Sequence, residues 1–131
     1  EKAKAVKLEN LYHVVDLADS LDLPILVGTE MNSFGQKWVD DFEAPELDPV
    51  KDQFIKGAYF LYGHTRMAMM WGMGYQSQWS QEHLADRNQK NAFYEAVGRL
   101  IPPSVDVEQI EINTIGTPQQ VLQELQKHIK E

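Results

Sequence analysis

Glu30 and Asn32 stand two residues apart, just after a short apolar run, Ile25-Leu26-Val27, that breaks off at Gly28. Side chains two apart on an extended chain share one side. A carboxylate and an amide so placed could hold a divalent cation or orient a substrate, with Glu30 as ligand or base and Asn32 as a catalytic contact. Thr29 adds a hydroxyl for substrate binding. The plainer alternative has Glu30 paired with a cation and Asn32 capping a turn.

Two further groups could do chemistry. Asp40 and Asp41 lie in an acidic stretch and could ligate a metal, or form part of a solvated loop. His64 and Arg66 follow Gly63 and could bind an anionic substrate; alternatively Arg66 pairs with a carboxylate. His13, His83 and His128 are isolated, and there is no HExxH, GxSxG or glycine-rich phosphate loop. The absence of cysteine excludes thiolate metal sites, disulfides and a thiol nucleophile, and fits a cytoplasmic chain.

The elements that must position these residues read as α/β and helix-rich. An amphipathic helix over residues 3–22 carries Val6, Leu8, Leu11, Val14, Val15, Ala18 and Leu21 near one face, and Pro24 closes it. The run Ile25 to Val27 then has the look of a buried parallel strand whose carboxyl end opens onto a site. Residues 33–49 form a long acidic loop. Asp48 and Pro49 open a helix that should be largely buried, interrupted at Gly63 and ended near Gly72 and Gly74. Ser80 caps a helix running to Val97, with Gly98 as its stop. Pro102-Pro103 is the strongest internal break. Beyond it, a short strand over 107–112 precedes a helix opened by Thr117, Pro118 and Gln120. Residues 1–101 would thus hold β/α units with two buried helices, and 102–131 a strand-helix appendage.

With 131 residues, 43% of them apolar, the chain can fill a core. A net charge of −8 without a basic cluster excludes nonspecific nucleic-acid binding. No run approaches the ~20 apolar residues of a membrane span.

The stretch Val27-Gly28-Thr29-Glu30-Met31-Asn32 resembles the late strand of polymerase-and-histidinol-phosphatase-type (PHP) metal-dependent hydrolases. There a valine-glycine step leads into Ser-Asp-x-His, whose Asp and His bind metal. Thr29 stands at the Ser, Glu30 at the Asp and Asn32 at the His. The resemblance covers residues 8 to 35. It departs from the family at Asn32, since an amide is a poorer transition-metal ligand than imidazole, and in lacking a His-x-His segment. It implies the late β/α units of an incomplete TIM-like barrel, the C-terminal fragment of a hydrolase of phosphoester or related bonds. It further implies divalent Zn, Mn or Mg, a small-molecule substrate, and an upstream part of the same polypeptide that carries most ligands. Such a piece would be inactive alone; a homo-oligomer is also compatible. The competing expectation is a non-catalytic helical interaction module, with the aromatic and methionine-rich segment 59–79 as its binding face.

Overall fold

The computed structural model describes residues 2–30, 33–36, 39–108 and 110–129. They fold as two compact units, residues 1–58 and 59–131. Of the described residues, 61% are helical and none lies in a strand. This overturns the α/β reading and the TIM-like barrel units. The physical reason is that three apolar residues cannot make a sheet alone: strands need paired neighbours. Neither 25–27 nor 107–112 finds one among the described residues.

In the first unit, helix α1 spans Lys2–Ser20. It ends through its own backbone rather than at Pro24. Leu23 N–H reaches Ala18 O at 2.8 Å and Asp22 N–H reaches Asp19 O at 3.0 Å, with Asp22 at φ 50°. This is a Schellman ending, with Asp in the left-handed position glycine usually takes. Lys56 approaches both Asp19 and Asp22, at 3.5 and 3.7 Å. One side of α1, through Leu8, Leu11, Tyr12, Val15 and Ala18, is covered. Val6, Val14, Leu17 and Leu21 fall on a different arc of about 80°, at 3.6 residues per turn, and are exposed. The single apolar stripe read from the sequence is therefore two.

The acidic loop contains a 3-10 turn, Pro45–Leu47, tied back to α1 by the Tyr12 hydroxyl, which donates to Glu46 O, and by a Lys4–Glu46 ion pair. Helix α2 spans Lys51–Trp71, giving its first turns to this unit and the rest to the second. Gly57 is where residue 25 crosses it. A Cβ on Gly57 would lie 1.8 Å from the Ile25 carbonyl oxygen.

The second unit is built on α2 from Tyr59 onward, with α3 (Gln78–His83), α4 (Arg87–Leu100) and α5 (Pro118–Ile129). Gly63 does not interrupt α2 and Gly98 does not stop α4. Both lie inside helices whose backbones touch. A Cβ on Gly63 would meet Tyr94 O at 1.9 Å, and one on Gly98 would meet Tyr59 O at 2.0 Å. The helix expected over 80–97 is two, divided at Leu84–Asp86. The Ser77 side chain caps α3, and the Asp86 side chain accepts from Gln89 N–H at 2.9 Å to cap α4. At α5, Gln120 Oε1 accepts from Thr117 N–H at 2.8 Å while Thr117 Oγ1 accepts from Gln120 N–H at 3.4 Å, a reciprocal capping box.

Between α4 and α5, Val107, Ile110 and Ile112 are buried without forming a strand. Two tryptophans hold this segment: the Trp71 indole N–H donates to Ile110 O at 3.0 Å, and the Trp79 indole N–H donates to Gly116 O at 2.9 Å. Side chains from α2, α3, α4, this segment and α5 form one apolar core around Met67, Tyr94, Val97, Val121 and Leu125.

Candidate functional site

Residues whose types suggested chemistry divide between the two units. In the first, Thr29 Oγ1 accepts the Asp40 N–H at 3.2 Å, so the loop returns to the end of the 23–30 segment. Glu30, Asp40 and Asp41 are all exposed. Asp41 Oδ1 accepts the Glu43 N–H at 3.1 Å, a local turn bond. Asn32 lies outside the described residues.

A divalent cation needs several oxygen or nitrogen donors converging within about 2–2.6 Å of one point. No group of three or more His, Asp or Glu side chains among the described residues meets that need. Glu30, which the PHP resemblance set at a metal-ligand position, and Asp40 and Asp41, read as ligands from their acidic stretch, thus gather into no such centre among the described residues. The metal-binding, hydrolase reading of them is corrected on that ground.

In the second unit, His64 and Arg66 serve different contacts. His64 Nδ1 accepts the Tyr75 N–H at 3.0 Å, which leaves the proton of a neutral ring on Nε2. Its ring meets the edge of Tyr94 at 5.8 Å. Histidine here fastens the turn after α2 to the helix itself. Arg66 lies over the Tyr62 ring at 5.3 Å and donates from Nε to the Tyr62 hydroxyl at 3.2 Å. Its observed partner is therefore an aromatic ring.

The polar feature the sequence did not single out surrounds Tyr75. The Tyr75 hydroxyl donates to Asn91 Oδ1 at 3.2 Å, and Lys90 Nζ sits 5.2 Å from the Tyr75 ring centre. Tyr75 and Lys90, together with Leu84, Asp86 and Arg87, line a shallow, open groove of about 400 Å³. Its acid is already used as the α4 cap, and Lys90 also donates to Tyr75 O at 3.4 Å. The groove offers neither a nucleophile–base pair nor a pocket that encloses a ligand. Asp86 followed three residues later by Gln89 was the available sign that a helix restarts here.

Tyr94, fully buried beneath this groove's aromatic wall, donates its hydroxyl to Met73 O at 2.9 Å. Burial pushes its ionisation above the ordinary tyrosine range, against a smaller downward pull from the Ser80 hydroxyl; the nearby Tyr75 adds a little to the rise.

The apolar surface left open in this unit is more distinctive. Leu61, Thr65 and Met69 follow one another at four-residue spacing on α2, all exposed, with Met69 at 76% and Leu61 at 44%. Thr65 Oγ1 donates back to Leu61 O at 2.8 Å, so its hydroxyl is satisfied inside the helix and the stripe stays apolar. No helix among the described residues is long and apolar enough to cross a membrane.

No known protein family, curated protein or solved structure matches the chain.

Proposed function

We propose that the chain is a helical interaction module without catalysis, and that its contact face is the Leu61–Thr65–Met69 stripe of α2. The observation that supports this reading is the exposure of two large apolar side chains on a helix whose opposite side is the unit's core. Part of segment 59–79 is interior: Met67, Met73 and Trp79 are buried. The binding face read from the sequence accordingly narrows to three positions. Methionine suits such a face, because its unbranched, polarizable side chain adapts to differently shaped partners. The partner that fits is an amphipathic helix laying apolar side chains along the stripe.

A peptide-library selection against the purified chain tests this. Enriched peptides should show apolar residues at helical spacing. Their binding should fall roughly thirtyfold with Met69→Glu, the loss of a hot-spot side chain, and should be unchanged by Gln119→Glu on α5. Failure to enrich any helix-forming peptide, or binding indifferent to Met69→Glu and Leu61→Glu, overturns the proposal.

A further inference from the structure

We propose that residues 23–30 form a docking edge for an extended strand of another protein, apolar at its centre and basic at its ends. From Leu23 to Glu30 the chain runs without helix, turn or bend. No backbone N–H or C=O of Leu26, Val27 or Gly28 enters a hydrogen bond among the described residues. An apolar run with open backbone groups is the template on which a second strand adds.

Geometry selects the edge. The Ile25 carbonyl lies against the α-carbon of Gly57 on α2. Successive residues of an extended chain turn their N–H and C=O to opposite edges. Leu26 and Gly28 therefore present theirs away from the helix. Leu26 is 54% exposed, and a Cβ placed on Gly28 would meet nothing within 4 Å. Gly28 does not adopt a positive φ, so its backbone conformation does not require glycine. What the missing side chain provides is close access to the backbone, the use a strand makes of glycine.

Charge selects the occupant. Glu30 is exposed at one end of the segment, and the Asp40 N–H bond to Thr29 brings the acidic loop beside it. At the other end Asp19 and Asp22 share Lys56, which leaves one net negative charge there. A second copy would bring the same acids into register, whereas a strand with lysine or arginine ends complements them.

Two synthetic peptides test this, each with the centre Thr-Val-Ile-Val-Thr, one flanked by pairs of lysines and the other by pairs of glutamates. The lysine peptide should bind in fluorescence anisotropy and slow hydrogen exchange at the Leu26 and Gly28 amides. Leu26→Pro deletes a donor on the open edge and should weaken binding about tenfold. Val27→Pro deletes one on the inner edge and should leave binding unchanged. The glutamate peptide should bind about tenfold less tightly, with the gap closing in high salt. Equal binding of both peptides at low salt, equal effects of the two prolines, or no added protection at Leu26 and Gly28 overturns the proposal. The exchange measurement uses the unaltered chain, so it decides even if a proline variant loses its helical circular dichroism. A dimer in sedimentation that dissolves with Leu26→Pro would assign the edge to a second copy and also overturn it.

Discussion

The two units solve the problem of burying apolar surface differently. In residues 59–131, five segments converge on one core, and helix backbones touch at Gly63 and Gly98. In residues 1–58, the only fully buried large apolar side chains are Val15 and Val50 among the described residues, while Val6, Val14, Leu17, Leu21, Leu26 and Val27 stay open. Hydrophobic stabilisation scales with area removed from water, so the second unit is the stable body and the first is the surface-rich one. The difference teaches that the segment most suggestive of catalysis in the sequence sits in the less consolidated half.

The strongest blow to the second unit is a methyl group. Alanine is the better helix former by roughly 1 kcal/mol, so Gly98→Ala on an isolated helix would stabilise. Here the added carbon would overlap Tyr59 O, and the helices must separate. We expect a net loss of about 3 kcal/mol in denaturant unfolding followed by circular dichroism. A neutral or stabilising result would mean that the two helices do not cross at these glycines.

Core truncations sharpen the contrast. Leu125→Ala removes a fully buried side chain from the shared core and should cost about 3 kcal/mol. Val15→Ala, in the sparse unit, should cost about 1 kcal/mol, and its effect should register in amide exchange of α1. Comparable losses at the two sites would erase the difference between the units.

How much of this was legible in the sequence depended on whether the signal was local. The α5 capping box was readable from Thr117, Pro118 and Gln120, because each acts within one turn. The Gly63 and Gly98 contacts were not, because a packing glycine and a helix-ending glycine look alike until the partner backbone is known. The apolar positions of α1 have helical spacing whether they face a core or solvent, so the sequence could not separate the covered arc from the open one. Ile25 to Val27 has strand composition, yet pairing is a property of neighbours that the run itself does not encode. His64 and Arg66, two residues apart on a helix, point in different directions and end on different aromatic partners.

Titration separates the units again. Tyr94 ionises later in the folded chain than in the unfolded one, since burial disfavours the phenolate. Its contribution is fully present below the ordinary tyrosine pKa of about 10 and is lost as pH rises through the higher folded value. Absorbance titration should therefore show one tyrosine ionising after the others, together with the onset of alkaline unfolding. Tyr94→Phe should remove that late step and cost about 1 kcal/mol for the lost bond to Met73 O.

The smallest effect belongs to the surface of the first unit. Glu46 pairs with Lys4, and the hydrogen bond from that ammonium, with help from backbone bonding, holds its carboxyl below the ordinary glutamate range. A lowered folded pKa gives stability that is present above the unfolded value and lost as pH falls through the folded one, so the pair matters only above the glutamate range. Both side chains are open to water, and salt screens such pairs. Glu46→Gln should thus produce a slight fall in melting temperature at pH 7 and low salt, none at 1 M salt, and none in acid. The Tyr12 hydroxyl bond to the Glu46 backbone survives that substitution. If Glu46→Gln instead loosens α1 in exchange measurements at every salt concentration, the pair holds the helix in place and the first unit is better consolidated than its sparse core implies.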